Sequence, residues 1–314
     1  MTMMGALPFE LRLPVCVAPM FLVSGPDLVV ESCLAGVVGS FPTANCRSPE
    51  ELDGWMQQIT SRIDAARGQA RHPIAPWAAN LVTHSTNERL PDHLKLISKY
   101  RPPIVVTALG SPKPAIAAVR EYGGRVFADV PSVKLAKKAA EAGVDGLACI
   151  CAGAGGHTGN LSPFAFISAV REFFNGILIV GGGISDGSGI AGAIAAGADL
   201  VYVGTRFLSA DESRAPLEYK RMVIECGSED LIVSAALTGA AGSWLKPSLE
   251  RQGVDLNATA TPNFSGKSRW RDIWSAGQGL HKVTHFESVA AIVESLEKEH
   301  EGALHRFKSL ARRA

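Results

Sequence analysis

The segment Cys151-Ala-Gly-Ala-Gly-Gly-His-Thr-Gly159 sets one imidazole, His157, among four glycines. An ordinary loop built this way would be destabilised by its glycines, whereas a flat ligand pressed on bare backbone needs them, and a histidine over that ligand can move a proton near neutral pH. Two later segments invite an anion. Ile179-Val-Gly-Gly-Gly-Ile-Ser-Asp-Gly187 offers unencumbered backbone amides, and Tyr202-Val-Gly-Thr-Arg-Phe207 adds the amides of Gly204 and Thr205 and the Thr205 hydroxyl, the chemistry of a phosphate site. The other histidines (72, 84, 93, 281, 285, 300, 305) read as packed or surface residues, since His281 and His285 stand four apart without the acid of a HExxH zinc site.

The elements that position these segments follow from apolar periodicity. Eight runs rich in Val and Ile, at Pro14–Met20, Gly36–Thr43, Ile74–Leu81, Pro103–Gly110, Gly124–Val130, Val144–Ala152, Ile177–Gly183 and Leu200–Phe207, read as strands covered on both faces. Their starts lie 20 to 38 residues apart, which leaves room for one crossover helix each, as over Ser132–Ala142 and Gly187–Ala196. Eight βα units in series predict an α/β fold, a TIM (β/α)8 barrel, in which chemistry gathers at the C-terminal strand ends. The three glycine segments end the sixth, seventh and eighth runs. After the eighth the pattern changes. Residues 211–285 hold three of the five tryptophans and a polar stretch, Asn257–Lys267, and read as a lid-like insertion subdomain packed on the barrel mouth. A closing helix, Phe286–Leu310, returns to the barrel, so the barrel domain comprises 1–210 and 286–314.

Composition removes several classes. The 314 residues carry a formal net charge of +1, with 46% hydrophobic and 19% charged residues, so no basic field recruits nucleic acid or an anionic membrane. The start of the chain lacks the basic region and long apolar core of a signal peptide, and no apolar run reaches the length of a membrane span, so a cytoplasmic protein is expected. Six irregularly spaced cysteines read as reduced and mostly buried, and Cys149 and Cys151, one residue apart, are poor metal ligands; no metal is expected. Gly187-Ser-Gly-Ile-Ala-Gly192 fits GxGxxG, yet its first glycine lies well past the strand and no acid ends the next one, which excludes a Rossmann site. Gly266-Lys-Ser268 lacks the first glycine of a P-loop, and neither a GxSxG elbow nor paired strand-end carboxylates are present.

Taken together, Pro14-Val-Cys-Val-Ala-Pro-Met20, Asn80, Ala154-Gly-Gly-His-Thr-Gly159, Gly181-Gly-Gly-Ile-Ser-Asp-Gly187, Ala196 to Phe207 and Asp272-Ile-Trp-Ser-Ala-Gly-Gln278 make a chain that resembles the FMN-dependent nitronate monooxygenases and their relatives, the flavin enoyl-ACP reductases and NADH:quinone reductases. The resemblance implies FMN, with Pro19, Met20, Phe21 and Asn80 lining the ring, Gly155 and Gly156 close to it, and Gly182, Gly183, Gly204 and Thr205 on the phosphate. It implies His157 as the catalytic histidine and Ser275 at the substrate end. The implied reaction is oxidation of a nitronate by O2 to a carbonyl compound and nitrite, the alternative being an NAD(P)H-dependent flavin reductase acting on an enoyl thioester or a quinone. The expected partners are a small-molecule substrate and O2, with no nucleic acid and no membrane, and a homodimer as the candidate assembly. Two positions depart from the relatives: Gly153 stands where many carry an acid four residues before the histidine, and Asp129 where many carry Lys or Gln.

Overall fold

A computed structural model describes residues 7–70, 72–254 and 269–311. Eight parallel strands form the barrel: β1 (Val15–Val17), β2 (Gly39–Pro42), β3 (Trp77–Val82), β4 (Ile104–Ala108), β5 (Arg125–Val130), β6 (Gly146–Ile150), β8 (Ile177–Gly181) and β9 (Leu200–Val203). The sheet runs in the order β1-β9-β8-β6-β5-β4-β3-β2. It closes between β1 and β2, where Val17 N–H donates to Val38 C=O at 2.8 Å and Val38 N–H to Val15 C=O at 3.0 Å. Each sequence-derived strand is present in a shorter form, and the barrel with its insertion after the eighth strand is the architecture the spacing predicted.

Strand alternation divides the core. Val15 and Val17 join the cluster between barrel and helices, as do Val126, Ala128 and Val130, while Cys16 and Phe127 point inward with Val38, Ala78, Ile104, Val106, Ala148, Ile179, Leu200 and Tyr202. Leu7, Phe9 and Leu11 pack against this interior. The crossover helices begin where the sequence supplies caps: Ser48, Ser132, Ser162 and Asp186 accept from backbone N–H groups of the first turns that follow them. The last helix, Val289–Ala311, packs on Gly187–Ala195 and on Pro26–Leu34.

Between β9 and that helix, residues 211–285 add the helix Leu217–Glu225 and a separate antiparallel sheet made of β7 (Gly156–His157), β10 (Leu231–Ser234) and β11 (Gly242–Leu245), in the order β10-β11-β7. Tyr219, Val223, Leu245, Trp274, Ala276, Leu280 and Val283 form its core and share it with Val23 and Leu208 of the barrel. Asn257–Lys267 and the Gly266-Lys-Ser268 triplet lie outside the described residues. All six cysteines are free and five are buried. Among the described residues no helix is long and apolar enough to cross a membrane.

Candidate active site

The loop after β6 folds back on its own strand. Thr158 Oγ1 donates to Cys151 C=O at 3.1 Å, Ala152 N–H to Leu161 C=O at 2.7 Å, and a Cβ on Gly159 would lie 2.1 Å from Ile150 C=O. Gly153 at φ +89° and Gly156 at φ +66° occupy the left-handed region, which glycine tolerates without a steric penalty. The far limb of the loop is β7, held on β11 with Gly156 opposite Ser243 and His157 opposite Gly242; Thr158 N–H donates to Ala241 C=O at 3.0 Å. His157 is thereby fixed through its backbone to the insertion, with its side chain exposed at the barrel mouth. Desolvation by the surrounding chain lowers its pKa and favours the neutral imidazole, the form that can accept a proton.

Gly153 explains its own departure from the related sequences. A Cβ there would meet Gln278 Oε1 at 2.8 Å and Gly183 N at 3.2 Å, on a backbone already left-handed, so no acidic side chain fits without moving the neighbouring segment. Its carbonyl is a junction that accepts Gly183 N–H at 3.0 Å and Gln278 N–H at 2.9 Å. Beside it, Gly277 N–H donates to Thr205 Oγ1 at 2.8 Å, and a Cβ on Gly155 would lie 2.7 Å from Gly277 N. The strand ends of β6, β8 and β9 thus meet under residues 276–278. Ser275 follows on the same edge of β11: Trp244 bridges it, and its backbone is fastened on both sides by the Tyr219 hydroxyl, which donates to its C=O and accepts its N–H.

These contacts refine the reading of the glycines. The N–H of Gly183 is already bonded within the chain, and Gly155 serves close packing of the insertion. Gly182, Gly183, Gly204 and Thr205 still keep accessible surface at the rim, and the Thr205 hydroxyl retains its own hydrogen to donate. The helix N-terminus after β8, where barrels often seat phosphate, is taken: Asp186 caps it, and Glu299 accepts Gly187 N–H at 2.9 Å. The false GxGxxG has a packing cause, since a Cβ on Gly187 would lie 2.0 Å from His300 N in the closing helix.

The opposite half of the mouth is made of side chains. After β1 the chain turns through Pro19, Met20 and Phe21 to Leu22, which sits at φ +62°. Much of the brace on this turn comes from a distant residue. Asn45, just after β2, accepts Leu22 N–H at 2.8 Å and donates to Ser24 C=O at 2.8 Å and Met20 C=O at 3.2 Å, while Ser24 Oγ accepts Met20 N–H at 3.0 Å. A strained, non-glycine residue over-determined by such a brace is a common mark of a functional rim. Met20 reaches Gly204 across the β1–β9 seam, its Sδ 3.7 Å from where a Gly204 Cβ would be. Asn80, two residues before the end of β3, donates from Nδ2 to Asp129 Oδ2 at 3.0 Å. Burial pushes the Asp129 carboxyl up to about 7 and raises the Tyr202 phenol nearby.

Among solved structures, the chain is similar to FabK from Thermotoga maritima, with a TM-score of 0.79 at 23% identity over 96% of each chain. Among curated proteins, it is 28% identical over 226 residues to the (3aS,4S,5R,7aS)-5-hydroxy-7a-methyl-1-oxo-octahydro-1H-indene-4-carboxyl-CoA dehydrogenase of Rhodococcus jostii, a match covering 72% of this chain and 60% of that protein. It is 25% identical over 283 residues to the nitronate monooxygenase of Paraburkholderia phytofirmans, covering 77% and 76% of the two chains. The family model for nitronate monooxygenase matches residues 7–299, so with its barrel, glycine rim and His157 loop this chain belongs to the nitronate monooxygenase family of oxidoreductases.

Proposed function

We propose that the protein is an FMN-dependent oxidoreductase that oxidises alkyl nitronates with O2 to a carbonyl compound and nitrite. The observation that carries this reading is His157, exposed at the mouth and pinned to the insertion beside a rim of bare glycine backbone. The mouth suits a flat ring with a phosphate on two counts: Thr43 Oγ1 and Thr83 Oγ1 are buried at the strand ends without hydrogen-bond partners, and Gly182, Gly204 and Thr205 keep accessible surface at the rim. In this reading Gly182, Gly183, Gly204 and Thr205 face the phosphate. Pro19, Met20, Phe21 and Asn80 border the ring, with Gly155 and Gly156 close to it. FMN, when bound, supplies the electron acceptor that no side chain here can provide.

His157 takes the proton from the α-carbon of a neutral nitroalkane, or orients a nitronate already ionised. Ser275 lines the substrate end, and residues 211–285 cover the site and keep water from it. The Rhodococcus relative named for a carboxyl-CoA substrate favours a second reading, NAD(P)H-dependent flavin chemistry on a thioester. One experiment separates them. The purified protein is expected to carry or take up FMN with flavin absorbance, and anaerobic mixing with a nitronate is expected to bleach it. Bleaching by NADH alone would overturn the nitronate reading, and a colourless protein that takes up no FMN would overturn both.

A further inference from the structure

Asp129 lies on the inner face of β5, since its neighbours Ala128 and Val130 pack outward. It stands at the C-terminal end of the strand, the end that opens into the mouth. The groups around it come from four other strands. Asn80 of β3 donates one N–H to Oδ2 at 3.0 Å, the Tyr202 hydroxyl of β9 is a second neutral hydrogen-bonding neighbour, Cys16 of β1 interacts with the carboxyl electrostatically, and Ala148 of β6 is its register partner. None of these is a cation. A carboxylate has about four acceptor positions to satisfy, and this one has only the Asn80 amide and the neighbouring Tyr202 hydroxyl to serve them, both of them neutral donors. The surroundings therefore suit the neutral acid, and burial places its titration at about 7.

We infer that Asp129 is a proton acceptor coupled to reduction of the bound ring: as the ring gains two electrons and one proton, the Asp129 carboxylate takes a second proton from solvent. The inference rests on the flavin reading above. The added negative charge on the reduced ring raises the proton affinity of a half-buried carboxylate at the same mouth, with no cation beside it to share the load. Asp129 thereby lets a ring gain charge without a cation beside it.

The test is the midpoint potential of the FMN-loaded protein from pH 6 to 9. Above pH 7 the parent is expected to take up two protons per two electrons and Asp129→Asn one, and the variant is expected to be the easier to reduce at pH 9. Asn80→Ala, which removes the donor to Oδ2, shifts the two-proton window to higher pH. Without FMN, infrared spectra are expected to show a protonated-carboxyl band at pH 6 in the parent that Asp129→Asn lacks. Equal proton uptake in parent and Asp129→Asn overturns the inference while leaving the flavin site intact. Failure of the parent to bind FMN overturns the flavin reading and the inference with it.

Discussion

At the N-terminal end of the barrel, Asp145 accepts from Arg125 at 3.0 Å and from Val126 N–H at 2.9 Å. Asp199 repeats the device, accepting from Arg171 at 2.5 Å and Leu178 N–H at 2.7 Å. Arg171 spends its other donors on Gly176 C=O and Gly197 C=O. Pro8 completes the lining of a small cavity here of about 180 Å3, whose carboxylates are already bonded. At the C-terminal end, Thr43 Oγ1 and Thr83 Oγ1 are buried without partners, and the Asp129 carboxyl and Tyr202 hydroxyl face each other with no cation beside them. Both ends are cut from the same strands, yet one satisfies its polar groups internally and the other leaves them waiting. Unsatisfied buried polar atoms cost stability, so their concentration at one end marks where a ligand completes the structure.

Substitutions that separate the two ends test this contrast. The largest effect is expected at the mouth: His157→Ala slows turnover of a neutral nitroalkane by a factor of ~10²–10⁴ while FMN affinity and the urea midpoint stay put. Equal rates in variant and parent would remove His157 from proton transfer. At the floor, Asp199→Ala strands Arg171 and Leu178 N–H, and is expected to cost about 3 kcal/mol in urea unfolding with FMN affinity unchanged.

His93 supplies a third comparison, because it is buried in the first turn of the helix Leu90–Tyr100 with both ring nitrogens unbonded. Burial pushes its pKa down from 6.5 to about 4. The unfolded chain therefore binds more protons between those values, and stability is full above pH 6.5 and lost as pH falls toward 4. The loss amounts to ~2 kcal/mol by pH 5. His93→Gln should flatten that slope in urea titrations run from pH 7 to 5, and a slope as steep as the parent's would discount His93. The smallest effect belongs to Gly155→Ala. Its Cβ would press on Ala276 and Gly277, and displacing them is expected to weaken FMN binding by roughly tenfold, or ~1.4 kcal/mol, by fluorescence titration. Unchanged affinity would show that residues 276–278 do not shape the phosphate rim.

Local pattern was enough to read the barrel. Val and Ile runs at crossover spacing have few other ways to bury two faces, and a strand's end follows from where its run stops. The glycine segments were legible for the same reason: they fall at strand ends, and a barrel gathers those ends. Their partners were not. Gly155 meets Gly277 and Gly187 meets His300, contacts across more than a hundred residues that no spacing announces. Asn45 lies more than twenty residues from the Pro19–Ser24 turn that its amide grips, a partnership no local pattern marks. Asp129 stood out only as an odd residue, and its meaning came from the four strands around it.

The sequence by itself determined the eight-stranded barrel and set the glycine segments and His157 at one end of its strands, because periodicity and glycine placement are local and additive. Tertiary structure alone decided which amides are already bonded, which carboxyl is left without a cation and why position 153 carries no side chain. Those outcomes depend on which distant surfaces meet, and burial turns a missing partner into a shifted proton affinity only after they have met.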